Sequence, residues 1–315
     1  MRLKKLLNRY GKDNIPFFFM ISYDLKDFVV EPLSSLDKDI EFILDNSVLK
    51  NSNKNINIIK DKPSFKEYEK KFKLVQDNLK KGNSYLLNLT TPTNISTTMS
   101  LKQIYDVSYS KFKLRFKDDF VCFSPERFIK IEDNIISTYP MKGTIDNSIK
   151  NALEKILNDP KELAEHTMIV DLLRNDLSIV SKNVKVDMFR YSEVINAGNK
   201  ELLQFSSKIS GILDDNWSNN IGDILISLLP AGSITGTPKK NTIKLIDEIE
   251  NYQRGFYTGI FGVYDGSSID SSVMIRFIEK NKDGSFVYKS GGGITCDSSL
   301  HHEYKELISK IYIPI

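Results

Sequence analysis

The chain has 315 residues, 40% of them hydrophobic and 27% charged, an ordinary globular composition with length for one large domain or two. Forty-four Lys and Arg against 41 Asp and Glu leave a formal net charge of +3, which excludes a dedicated nucleic-acid binder of strong charge asymmetry. Two cysteines, Cys122 and Cys296, cannot build a disulfide framework, stand in no metal spacing, and match the usage of cytosolic thiols.

The N-terminus, Met1 to Lys5, is basic, but Asn8, Arg9, Gly11 and Lys12 break any apolar run after it, so no secretory signal is expected. Ile15 to Ile21 contains Pro16 and is too short to span a bilayer. The expectation is a cytoplasmic protein that works on neither nucleic acid nor membrane. Phe17 to Ile21 reads as a buried strand, with Lys26-Asp27 turning into a second at Phe28 to Val30. Residues 45 to 63, rich in Asn and Lys, read as a loop. A capping box at Ser64 and Glu67 then opens a helix whose apolar positions Phe65, Tyr68, Phe72, Val75 and Leu79 keep helical spacing up to Gly82. Strands follow at Tyr85 to Thr90, Phe120 to Phe123, Phe128 to Ile131 and Ile135 to Thr138. Asp159-Pro160 is a helix opening, with Asp as cap and Pro in the first turn, and predicts a helix to about Leu177. Gly259 to Tyr264 and Ser272 to Ile278 read as a strand pair joined through Asp265-Gly266, Phe286 to Tyr288 as another strand, and Leu300 onward as a closing helix. Strand pairs separated by helices, without strict alternation, argue for α+β with antiparallel sheets.

Four features carry possible chemistry. Lys142, in Pro140-Met141-Lys142-Gly143-Thr144, ends a strand beside a glycine; it is either a solvated charge or, if desolvation lowers its pKa, a nucleophile. Glu162 and Glu165 lie three apart on one helix face, and Glu303 and Glu306 repeat that spacing with Lys310 a turn later. Each pair alone is a solvated face, whereas two converging pairs would suit a hard dication such as Mg2+. The fourth feature is a pair of glycine-rich turns, Ala231 to Lys239 and Gly291-Gly292-Gly293, which match neither a phosphate loop nor a dinucleotide fingerprint yet could hold a carboxylate on backbone N–H groups. The histidines His166, His301 and His302 form no HExxH zinc pattern.

In this order, Ser124-Pro125-Glu126-Arg127-Phe128, Pro140 to Thr144, Ala164 to Asp176, Pro230 to Lys239, Arg254 to Gly259, and Gly291 to Ile294 running on to Glu303 and Glu306 resemble the chorismate-utilising enzyme family. Lys142 points to the aminodeoxychorismate synthase branch, where the block reads Pro-Ile-Lys-Gly-Thr; anthranilate synthases carry alanine at the lysine. Here Met141 replaces the isoleucine, and Leu86 stands where relatives often have a polar residue.

The resemblance implies one α+β domain over residues 1–315, two antiparallel sheets packed as a sandwich with outer helices, residues 1–80 being a shortened N-terminal portion and 81–315 the motif-bearing core. It implies that Lys142 attacks ring carbon 2 of chorismate so that the 4-hydroxyl leaves, and that ammonia then adds at carbon 4 and expels the lysine. Glu126 would be the general acid and base for the hydroxyl, its pKa raised beside Phe123 and Phe128, unless it pairs with Arg127. Glu165 and Glu306 would ligate Mg2+, Glu162 and Glu303 holding it through water. Gly143, Thr144, Thr235, Tyr257, Arg276, Gly291, Gly292, Gly293 and Lys310 would contact substrate, Arg276 gripping a carboxylate. Neither cysteine sits in an amidotransferase nucleophile turn, so ammonia would come from a separate glutamine amidotransferase, with a separate aminodeoxychorismate lyase completing para-aminobenzoate for folate. Anthranilate synthase component I and an inactive chorismate-fold binding subunit remain the alternatives.

Overall fold

The computed structural model describes residues 1–45, 58–196 and 201–314, apart from the side chains of Thr144, Ile195 and Asn196. Most of the loop expected over 45 to 63 therefore lies outside the described residues. The first half holds α1 (Arg2–Lys12), β1 (Phe17–Ile21), β2 (Phe28–Pro32), β3 (Ile40–Ile43), β4 (Ile59–Lys60), α2 (Phe65–Lys80), β5 (Leu86–Ser96), α3 (Leu101–Val107), β6 (Phe112–Phe116), β7 (Phe120–Ser124), β8 (Arg127–Glu132), β9 (Ile135–Thr138) and β10 (Met141–Asp146). The second holds α4 (Ala152–Leu157), α5 (Pro160–Val180), β11 (Lys182–Asn196), β12 (Glu201–Ile212), α6 (Ile221–Leu228), β13 (Gly236–Thr237), α7 (Lys239–Glu250), β14 (Ile260–Tyr264), β15 (Ile269–Val273), β16 (Phe277–Lys280), β17 (Phe286–Ile294) and α8 (Leu300–Ser309).

Two antiparallel sheets result. One runs β10-β12-β9-β8-β15-β14-β1-β2, with β11 also on β12; the other runs β13-β5-β17-β16-β7-β6-β3, with β4 on β5. Alternation along the strands explains why they face each other. On β1, Phe18 and Met20 join Phe112, Leu114, Phe120, Cys122 and Phe277 of the other sheet in a shared inner core. The intervening Phe17, Phe19 and Ile21 turn outward and meet Leu3 and Leu7 of α1 and the apolar sides of α5 and α6. On β7, Val121 and Phe123 likewise turn outward to Leu101, Ile104 and Tyr105 of α3. The α+β sandwich with outer helices is thus the fold.

Several expectations need correction. Ser64 does accept from Glu67 N–H, at 3.4 Å, but the reciprocal capping box forms instead at Ser100 and Gln103. The run Ser272 to Ile278 is two strands in different sheets, because the chain crosses between layers at Ile275 and Arg276, the latter at φ 53°. Gly291 to Gly293 lie within β17 rather than in a turn, and a Cβ at Gly291 would meet Thr90 Cγ2 at 2.5 Å and Leu89 O at 2.7 Å on neighbouring β5. Phe123 packs in the outer core and is not among the residues that line the cavity at Glu126, whereas Phe128 is. The N-terminal basic stretch is helix α1, whose Leu3 and Leu7 are fully buried, and β1 lies inside its sheet between β14 and β2.

A buried ion pair ties the second sheet to its helices. Arg254 and Glu250 are each 1% exposed, with Arg254 Nε donating to Glu250 Oε2 at 2.8 Å. Glu250 Oε1 accepts the Thr90 N–H at 2.7 Å, while Arg254 donates to the carbonyls of Asn88 at 2.8 Å and Ile234 at 2.9 Å. Removing one partner leaves the other charge buried and unpaired, which costs about 3–5 kcal/mol. Glu250→Ala is therefore expected to lower the urea midpoint by a corresponding amount in equilibrium unfolding; an unchanged midpoint would contradict this role.

Candidate active site

Lys142 owes its position to a bulge. Met141 pairs with Ser206 and Thr144 with Gln204, so Lys142 and Gly143 together oppose one residue of β12. Gly143 takes φ +87°, a conformation side chains disfavour, and a Cβ there would approach Glu162 Oε2 to 3.1 Å and Ile156 Cδ1 to 3.3 Å. The Lys142 ammonium lies 2.8 Å from Glu165 Oε2. Burial pushes its pKa down, but Glu165, Glu306 and Glu162 outweigh burial and hold it above the ordinary lysine value. This reverses the expectation of a lowered pKa: the carboxylates around the lysine, not desolvation, decide its charge.

The carboxylates come from two helices on different sheets. Asp159 caps α5 by accepting the N–H groups of Lys161 at 2.9 Å and Glu162 at 3.1 Å, with Pro160 at the first position as expected. Glu162 and Glu165 then project one turn apart. On α8, Glu303 accepts from Ser298 Oγ at 2.8 Å, and Glu306 pairs with Lys310 at 2.7 Å. Burial, with Glu165 adding repulsion, raises the pKa of Glu162; burial, with Glu306 adding repulsion, raises that of Glu303 despite the Ser298 bond. Glu306 is lowered, because Lys310, Lys142 and His302 outweigh its burial. Gly292 lets the strand run beside this cluster, since a Cβ there would stand 3.5 Å from Lys310 Nζ and 3.7 Å from Glu303 Oε2 and Glu306 Oε1. Lys310 also donates to Gly291 O at 2.9 Å.

The remaining candidates divide. Glu126 sits between β7 and β8, its carbonyl held by Ser272 Oγ at 2.8 Å and Val273 N at 3.2 Å. Burial raises its pKa, against the opposing Ser233 hydroxyl, Lys310 and Arg276. It does not pair with Arg127, which binds Asp270 at 2.7 Å and Asp45 at 2.7 Å. Glu126, Phe128, Ser233, Asp176, Leu173 and Leu228 line one cavity. Arg276 packs over the Tyr312 ring at 5.3 Å; its buried Nε has no hydrogen-bond partner, and no ion pair among the described residues includes it. A guanidinium so placed is available to an anion. Tyr257 is buried beside Arg276, against Phe277. Thr235 is not brought to the site: it is fully buried, and its hydroxyl donates to Ala231 O at 2.6 Å. The side chain of Thr144 lies outside the described residues, and a Cβ at Gly293 would stand 3.1 Å from Leu86 Cδ1.

Sequence reasoning missed the buried Asp176, which Lys239 binds at 2.9 Å, and the contacts of the fully buried His166 with the Lys142 carbonyl and Ser207. Asp176 ends the motif that contains Glu165 and Lys239 ends the glycine-rich one, so both were in view, but only the fold joins them.

The donor set fits a hard dication. Ligating atoms of His302, Glu303 and Glu306 lie within 4.8 Å of one another, two carboxylates and an imidazole, whereas Glu162 and Glu165 of α5 are not in that group among the described residues. Burial raises the pKa of Glu162 and of Glu303, with repulsion from Glu165 and Glu306 adding to it, and a bound cation would offset both effects. Magnesium is accordingly expected to raise the melting temperature of the wild type and to do so far less in Glu165→Gln and Glu306→Gln, read by a thermal shift titration. Equal shifts in all three proteins would contradict the assignment.

Among known proteins, the chain is 47% identical over 312 residues to an uncharacterized PabA-like protein of Haemophilus influenzae, covering 98% of this chain and 95% of that one. It is 33% identical over 261 residues to aminodeoxychorismate synthase component 1 of Salmonella typhimurium, covering 78% of this chain and 56% of the other. The crystal structure of anthranilate synthase component I from Streptococcus pneumoniae superposes with a TM-score of 0.69 at 25% identity, over 83% of this chain and 60% of that one. The family model for chorismate binding enzymes matches residues 7–315, and the chain belongs to that family.

Proposed function

We propose that the protein is component I of an aminodeoxychorismate synthase, converting chorismate and ammonia to 4-amino-4-deoxychorismate, with residues 1–315 acting as one catalytic domain. The observation that supports this reading is Lys142, a lysine on the β10 bulge whose ammonium lies 2.8 Å from Glu165 of α5 and feels the charges of Glu162 and of Glu306 of α8. The similarity to a curated aminodeoxychorismate synthase component 1 supports it.

Chorismate is a dianion, and direct displacement of its ring hydroxyl is slow because hydroxide leaves poorly. In the proposed reaction the neutral Lys142 amine bonds to ring carbon 2, both ring double bonds shift along the ring, and the carbon 4–oxygen bond breaks as the oxygen takes a proton from Glu126, leaving as water. Ammonia then bonds to carbon 4 and gives a proton to the Glu126 carboxylate, the two ring double bonds shift back, and the carbon 2–nitrogen bond breaks so that the lysine departs as the neutral amine. This splits one difficult displacement into two easier ones. Glu126 suits its part because burial keeps it protonated at a higher pH than an ordinary carboxylate. Lys142 starts as an ammonium beside Glu165, so it must give up a proton first, and Glu165 at 2.8 Å is the nearest carboxylate to receive it. Arg276 offers its unpartnered Nε to a substrate carboxylate. Glu165 and Glu306 would hold Mg2+, with Glu162 and Glu303 around them. The cation, when bound, supplies positive charge that neutralises a carboxylate of the substrate and orients the ring. Ammonia would be delivered by a separate glutamine amidotransferase, and a separate lyase would remove pyruvate from the product.

The test is product identification. Purified protein incubated with chorismate, Mg2+ and ammonium salt is expected to yield 4-amino-4-deoxychorismate by mass spectrometry. Lys142→Ala should abolish turnover while retaining chorismate binding in calorimetry, and Glu126→Gln should lose about 100-fold or more in kcat. Anthranilate or isochorismate as the main product, or full turnover by Lys142→Ala, would overturn the reading.

A further inference from the structure

We infer that His166 is a positioning residue for Lys142: its ring, held in one tautomer by Ser207, grips the Lys142 carbonyl and fixes the bulge from which the lysine reaches the site. The inference rests on the nucleophilic role proposed for Lys142.

The bulge is a weak point in the ladder. Between the pairs Met141–Ser206 and Thr144–Gln204, neither Lys142 nor Gly143 has a partner on β12, and Gly143 adds no side chain to stiffen the turn. Buried backbone groups that lose their ladder bonds need other partners. For Lys142 that partner is His166, fully buried on α5, with Nδ1 3.3 Å from the Lys142 carbonyl oxygen and Nε2 2.6 Å from Ser207 Oγ. A carbonyl can only accept, so Nδ1 carries the proton. In the neutral ring Nε2 is then an acceptor, and the Ser207 hydroxyl must donate to it. The rest of the network agrees, because Ser207 Oγ accepts the Arg190 N–H at 3.0 Å and is left with one proton to give. Ser207 also donates its own N–H to the Pro140 carbonyl at 3.0 Å. The carbonyls of Pro140 and Lys142 are thus tied to the same serine, one directly and one through the imidazole. Phe189 closes the ring's flank edge-on, with centroids 5.6 Å apart. His166 follows Glu165 on the same helix, so a single helical step sets both the ammonium's partner and the backbone's.

Two measurements test this. The protein has three histidines, so histidine-selective nitrogen labelling gives an NMR spectrum in which His166 is assigned by its loss in a variant. At a pH where histidine rings are neutral the wild type is expected to show His166 as the Nδ1–H tautomer; an Nε2–H tautomer would overturn the inference, and this readout stands whether or not the proposed reaction is correct. The second measurement uses amide mimics. Asparagine can place an N–H where Nδ1 stands, whereas glutamine reaches only toward Ser207. His166→Asn is expected to keep most of the kcat for 4-amino-4-deoxychorismate, and His166→Gln to lose about 100-fold with little change in the KM for chorismate, as for a misplaced but intact reacting group. Equal losses in both variants at matched melting temperatures would overturn the positioning role. Should neither variant fold, the wild-type spectrum decides; a wild type that forms no such product refutes the proposed function and leaves the tautomer as the judge of the anchor.

Discussion

The constraint on which the site depends is charge crowding. Glu162 and Glu165 from one helix and Glu303 and Glu306 from another lie around a half-buried lysine, and the balance of burial and charge shifts Lys142, Glu162, Glu303 and Glu306 from their ordinary values. Burial alone would drive Glu162, Glu303 and Glu306 up and the lysine down. Instead Lys142 is held up by Glu165, while Glu306 is held down by Lys310 and Lys142, so the members cannot be understood one at a time.

The sandwich makes this crowding possible. Helix α5 packs against β10 and β12 of one sheet and α8 against β17 of the other, so the two carboxylate pairs meet only because the sheets are stacked. Backbone special cases sit at the same junction. The bulge at Lys142–Gly143 aims the lysine, Gly292 lets β17 run beside the charges, and Arg276 occupies the crossing from β15 to β16 at a positive φ. Each gives up some regularity of the fold at the place where a small dianion would be held.

The helical carboxylate pairs were legible because three-residue spacing on a capped helix dictates a shared face, and Asp159-Pro160 announced where that helix begins. The inner and outer faces of β1 and β7 obey simple alternation. What local pattern could not show was anything that depends on two distant segments: the convergence of α5 and α8, the Asp176–Lys239 pair, or the His166 anchor. Single runs also misled where the chain changes layer. Ser272 to Ile278 is continuously strand-like, yet it serves two sheets, and the glycine triplet looked like a turn although its lack of side chains is what permits close pairing with β5. Helix α1 escaped notice because its apolar side is short, Leu3 and Leu7 with the partly buried Tyr10, enough once Gly11 and Gly222 allow close approach to the segment around α6.

The proposed chemistry turns on Lys142 forming a bond to the substrate ring. The most direct measurement is mass analysis of the peptide carrying Lys142 after the protein is mixed with chorismate and Mg2+, without ammonia, and rapidly quenched. The expected result is a mass increase on Lys142 equal to chorismate less water, which disappears when ammonia is supplied before the quench. An unmodified Lys142 under conditions where turnover is demonstrated would contradict it.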